Sequence, residues 1–132
     1  MSYKIEYNHK GKISGRFELP ASKSISNRVL IINALSGSDK SVANLAKCDD
    51  TDVMVKALTS DSHLVDIGAA GTSMRFLTAY LSIKPGEWTI TGSQRMKERP
   101  IQILVDALRS IGADIELSLI HISEPTRRYA IS

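Results

Sequence analysis

The chain has 132 residues, 42% of them hydrophobic, which supports a small packed domain or a piece of a larger protein and excludes wholesale disorder. A formal net charge of only +3 and 5% aromatic residues exclude a strongly basic or base-stacking nucleic-acid surface. The one cysteine, Cys48, excludes an intramolecular disulfide and a multi-cysteine metal site.

No run approaches the ~20 apolar residues of a membrane span. Charges arrive early, at Lys4 and Glu6, and no signal-peptide core follows, so a cytoplasmic protein is expected.

In chain order, Ile13 to Leu19 reads as a strand and runs into a serine-rich turn. A helix is expected from about Ser24 to Leu35, ended by Gly37-Ser38-Asp39. A short strand follows around Ser41 to Leu45. Asp49-Asp50-Thr51-Asp52 supplies caps and negative charge for a helix through Leu58. Leu64 to Ile67 reads as a strand, Gly68 to Ser73 as its turn, and Met74 to Ile83 as a helix. Trp88 to Thr91 is the next strand. A basic loop from Arg95 to Pro100 leads into a helix from Ile101 to Ile111, with Pro100 in its first turn and Gly112 as its C-terminal cap. A last strand is expected to start at Ala113-Asp114-Ile115-Glu116. Met74, Phe76, Leu77 and Leu81 read as core, and Trp88 as packing.

These elements read as one unit written twice. Arg28 and Arg75 fall at matching places just inside their helices, as do Lys56-Ala57-Leu58 and Asp106-Ala107-Leu108. A period near 50 predicts an α/β fold of repeated βαβ-type modules, with helix entries pointing in related directions.

The segment Leu19-Pro20-Ala21-Ser22-Lys23-Ser24-Ile25-Ser26-Asn27-Arg28 sets Lys23 and Arg28 at a helix start, where unpaired N–H groups favour anions. Ser24 and Arg28 are four apart and share a helix face. On these residues alone two readings stay open: a phosphate or carboxylate site, or a serine cap flanked by solvated cations. Capping explains Ser22 or Ser24, but cations in a first turn oppose the dipole. Arg95, Lys97 and Arg99 crowd a second turn, either as a solvated loop or as part of a multi-anion site. Gly68-Ala69-Ala70-Gly71 permits close backbone approach. His9, His63 and His121 lack ligand spacing and receive no metal role.

Leu19 to Ser24 with Asn27-Arg28, the Gly71-Thr72-Ser73-Met74-Arg75 turn, and Arg95-Met96-Lys97-Glu98-Arg99-Pro100 together resemble the 5-enolpyruvylshikimate-3-phosphate synthase family. The resemblance runs from about Ile13 to Glu116. It implies the enolpyruvyl transferase fold, here as a partial domain of modules at about 13–60 and 64–116. It implies transfer of the enolpyruvyl group of phosphoenolpyruvate to the 5-hydroxyl of shikimate 3-phosphate, a step of aromatic amino-acid biosynthesis, with no metal and no cofactor. The implied roles place Lys23 against both substrates as the catalytic contact, Ser24 and Arg28 on shikimate 3-phosphate, and Gly71 (through its backbone) with Arg95 on phosphoenolpyruvate. Glyphosate is then expected to compete at the Gly71 and Arg95 subsite. A common family form of the glycine turn has asparagine at the position of Ala69 and proline at the position of Phe76, and this sequence departs from that form there.

Family members are about three times this long, as two-domain proteins are. The acidic proton-transfer residues have no counterpart here, so this chain alone is expected to be inactive. Residues 1–116 are assigned to the N-terminal portion of the family, and 117–132 to a non-family tail of possible cloning origin. Two other readings are a non-catalytic anion-binding module and a relative of the UDP-N-acetylglucosamine enolpyruvyl transferase. Neither nucleic acid nor membrane is an expected partner, and the oligomeric state is left open.

Overall fold

The computed structural model describes residues 1–7, 10–118 and 130–131. Regular structure begins with helix α1, Lys23–Leu35. Ser22 starts it: its backbone is extended and its Oγ accepts from the Ile25 N–H at 3.4 Å. Gly37 ends it at φ +66°, and the Gly37 and Ser38 N–H groups return to the Ala34 and Asn33 carbonyls.

Helix α2, Asp49–Thr59, carries Asp49, Asp50 and Asp52 in its first turn, where they complement the dipole. Its N-cap is Cys48 rather than an aspartate; the Cys48 carbonyl accepts from the Thr51 and Asp52 N–H groups. The acidic run therefore lies inside the helix and leaves its side chains for other partners.

Strand β1, Leu64–Asp66, and strand β2, Thr89–Thr91, pair in parallel with Val65 opposite Ile90. Helix α3, Gly71–Leu81, connects them, so this half of the chain is a βαβ unit. The glycine turn is itself the first turn of α3, which starts three residues earlier than the apolar pattern at Met74 suggests. A one-turn helix α4, Gln94–Lys97, follows β2. Helix α5, Gln102–Ser110, closes on Gly112 at φ +104°, with Gly112 and Ala113 bonding back to Arg109 and Leu108. Pro100 stands before the N-cap Ile101, outside the helix. Strands β3, Leu117–Ser118, and β4, Ala130–Ile131, pair antiparallel.

One core joins these elements. Met54 of α2, Leu77 of α3 and Val105 of α5 are fully buried, with Ile67, Met74, Leu81, Ile90 and Ile101 around them. Phe76 and Trp88 pack against this core from its margin. Trp88 also stacks on His63, ring centroids 4.2 Å apart.

Two expected strands do not form, and a third starts later than expected. Residues 13–19 alternate as a strand should, yet Ile13, Phe17 and Leu19 are 77%, 83% and 88% exposed. A strand needs a partner for its backbone groups, and none stands beside this segment among the described residues. At 41–45, Asn44 turns to φ +52° and the Ala46 N–H donates to Ser26 Oγ at 2.9 Å, which ties the loop to α1 instead of a sheet. At 113–116, the Ile115 carbonyl accepts from the Arg109 guanidinium, Nε at 2.9 Å, and pairing starts only at Leu117. The α/β class holds. Of the two expected units, only the second shows its paired strands; the first is present as its two helices. The stretch assigned to a tail lies outside the described residues over 119–129 and at 132.

Candidate functional site

Both strands of the parallel pair end at glycine turns, and these turns touch. Gly68 follows β1 at φ +53°, its N–H held by Asp66 Oδ1 at 2.9 Å. Its carbonyl accepts from the Ser93 N–H at 2.8 Å, just beyond β2. The entries to α3 and α4 are thus fused side by side at the carboxyl ends of parallel strands, the place where open α/β sheets gather ligands.

Helix α1 joins this end through Asp50. The Lys23 amine donates to Asp50 Oδ2 at 2.9 Å, and Ser73 Oγ donates to the Asp50 carbonyl at 2.8 Å. One aspartate therefore connects the first turns of α1, α2 and α3. Ser73 is fully buried, and the Asp50 side chain is only 18% exposed against 48% for Lys23. Deeper in the same seam, Thr51 Oγ1 donates to Asn27 Oδ1 at 3.1 Å, both groups buried. Further along α1, the Arg28 Nη1 donates to the Ser24 carbonyl at 3.0 Å, and its guanidinium lies over the Phe76 ring of α3. At the entry to α3, the Arg99 guanidinium occupies the space a Cβ on Gly71 would need. Arg75 Nη2 donates to the Pro100 carbonyl at 3.0 Å, fastening α3 to the loop before α5.

A family model described as EPSP synthase (3-phosphoshikimate 1-carboxyvinyltransferase) matches residues 7–62 and 59–128. The chain belongs to the EPSP synthase family. It is 64% identical over 105 residues to a 3-phosphoshikimate 1-carboxyvinyltransferase of Bacteroides fragilis strain YCH46, covering 80% of this chain and 26% of that protein. A protein of the same name from Cellvibrio japonicus is 44% identical over 125 residues, covering 76% of this chain and 29% of the relative. The chain spans about a quarter of the length of such relatives. The second family match continues to residue 128, into the stretch expected to lie outside the family.

Among the residues the EPSP synthase resemblance singled out, the structure draws four toward one seam. Lys23, Ser24 and Arg28 lie on the first turns of α1, and Gly71 opens α3. Lys23 reaches α3 through Asp50 and Ser73, and Arg28 reaches it through Phe76. Arg95 is exposed on α4, and Arg99 rather than Arg95 is the cation lying against Gly71. Asp50, Ser73 and Arg99 were not singled out as site residues. A lysine at a helix start calls for a counter-charge, but nothing in the sequence assigns that charge to Asp50 rather than to its acidic neighbours. Among the described residues no group of three His, Cys, Asp or Glu side chains is arranged to hold a metal ion, and no helix is long and apolar enough to cross a membrane.

The hydrogen bond to Asp50, then its negative charge, raises the Lys23 pKa above the ordinary lysine value. A folded pKa raised above the unfolded one stabilises the fold fully below the unfolded value and ceases to do so as pH climbs through the folded one. The difference in thermal midpoint between wild type and Lys23→Met should therefore stay constant at pH values well below the ordinary lysine value and shrink as pH climbs above it. A gap that changed sign or vanished near neutrality would contradict the pairing.

Proposed function

We propose that this chain provides part of the substrate surface for transfer of the enolpyruvyl group from phosphoenolpyruvate to the 5-hydroxyl of shikimate 3-phosphate, with release of phosphate, in a cytoplasmic setting. The observation that supports this best is the Lys23–Asp50–Ser73 link, which sets a lysine amine beside the first turn of the helix that opens at Gly71. Both substrates are small polyanions, so a cation at joined helix entries is the chemistry they require.

In this reading Lys23 contacts both substrates, Ser24 and Arg28 hold shikimate 3-phosphate, and the Gly71 backbone with Arg95 holds phosphoenolpyruvate. Preorganised cations at these points favour the charge that moves between carboxylate, phosphate and the tetrahedral intermediate. Residues 13–60 and 64–116 are the two modules that carry these groups. Asp50, the acid at the seam, is engaged by Lys23 and Ser73, and the resemblance assigns proton transfer to acids with no counterpart in these residues, so binding without turnover is the expected behaviour.

The test is a titration of isotope-labelled chain with shikimate 3-phosphate, read at backbone amides and followed by a phosphate-release assay with both substrates. Amides at Lys23, Ser24 and Arg28 should shift, and Arg28→Ala should weaken binding about tenfold or more through loss of charge-assisted hydrogen bonds. Released phosphate should stay at background. Amides unmoved at millimolar ligand would sink the binding role, and phosphate release proportional to chain concentration would sink the inactivity.

A further inference from the structure

Arg28 and Phe76 come from different helices, 48 positions apart in the sequence, yet the Arg28 Cζ lies 5.5 Å from the centroid of the Phe76 ring. The ring is half-buried and packs against the core, so α3 fixes its place whatever Arg28 does. The arginine is exposed and has no such support of its own.

A guanidinium presents its N–H groups in its plane and its π face at right angles to them. The Arg28 Cζ lies over the Phe76 ring, and the Ser24 carbonyl takes one N–H, from Nη1, at 3.0 Å. The other Arg28 N–H groups hold no hydrogen bond among the described residues, which leaves them for a carboxylate or phosphate met edge-on. Without the ring, an exposed arginine on a flexible stem would sample many rotamers and lose that freedom on binding.

We infer that Phe76 is a positioning residue, whose ring holds the Arg28 guanidinium in the orientation that receives the anionic group of shikimate 3-phosphate. This rests on the function proposed above for Arg28. The role requires an aromatic ring at this position, because a residue such as proline has no π face to offer a cation. Phe76 also lies inside α3, where its backbone N–H serves the helix and a proline would not.

The experiment follows Arg28 side-chain signals by NMR in the wild-type chain, Phe76→Leu, Phe76→Met and Phe76→Tyr, then titrates each with shikimate 3-phosphate. Leucine and methionine keep an apolar contact with the core but remove the ring; two such variants are used so that one failing to fold does not end the test. Dispersed amide spectra report the fold. Wild type and Phe76→Tyr should show Arg28 signals displaced by the ring current and bind with similar affinity. Phe76→Leu and Phe76→Met should lose the displacement and bind roughly two- to fivefold more weakly, the size expected of an exposed cation–π contact. Undisplaced Arg28 signals in wild type, or equal binding by a folded ring-less variant, would overturn the positioning role while leaving the functional reading intact. Displaced signals in a wild-type chain that binds no shikimate 3-phosphate would overturn the functional reading, and the positioning role with it.

Discussion

Gly92→Ala is expected to destabilise the fold by about 2–4 kcal/mol, combining overpacking with a lost hydrogen bond. A Cβ at Gly92 would stand 2.8 Å from the Gly68 carbonyl oxygen and 3.0 Å from Ile67 Cγ1. Neither can retreat easily. The Gly68 carbonyl already holds the Ser93 N–H at 2.8 Å, and Ile67 is buried in the core. Relief therefore means parting the two turns that the site is built on. Gly71→Ala provides the contrast: its clash is with the far end of the Arg99 side chain, which can swing away. It should leave stability within about 0.5 kcal/mol of wild type while displacing Arg99. Urea unfolding of both variants checks the pair. Gly92→Ala with a midpoint like that of Gly71→Ala would mean that the turns are not in contact.

Leu77→Ala is expected to cost about 2–5 kcal/mol, the range for opening a cavity in a packed core. Leu77 is completely buried at the middle of α3, in the cluster that also takes in Met54 from α2 and Val105 from α5. Its removal withdraws contacts from several helices at once, and side chains held by the backbone on all sides collapse only partly into the gap. A domain this small has about 5–15 kcal/mol in total, so a large share of its stability is at stake. Ile103→Ala is the matched control, since Ile103 is 89% exposed on α5 and should change little. Similar thermal midpoints for the two variants would place the core elsewhere.

The helices were legible because their signals are local. Ser22 as a cap, the Gly37 and Gly112 stops and the apolar spacing through Leu77 and Leu81 all act within a few residues, and all appear in the structure. Strands were less so, because a strand exists only with a neighbour. Ile13, Phe17 and Leu19 alternate as cleanly as any segment here and still stand exposed, whereas the three-residue β1 forms because β2 lies beside it. The site divides in the same way. Cations at the start of α1 could be placed from sequence, since helix entry is a local event. Asp50 could not: its acidic run is fully accounted for as charge on its own helix, and its link to Lys23 spans 27 positions. The basic loop named three cations without ordering them. That order comes from the single turn of α4, which buries Met96 and returns Arg99 toward Gly71 while Arg95 stays outside.

The Lys23–Asp50 contact also sets how the seam meets an incoming anion. Lys23 already has a counter-ion, built into the protein and held in place by Ser73. The ammonium has three N–H donors, so an anion that engaged this lysine would either share it with Asp50 or displace that carboxylate. In both cases the charge it met would already be partly balanced, and the net gain would be smaller than that of an unpaired lysine. Dissolved salt would weaken both contacts together. On the function proposed for this seam, Lys23 would supply less raw attraction than an unpaired lysine, and long-range attraction would fall to the arginines, which have no aspartate of their own at this seam among the described residues.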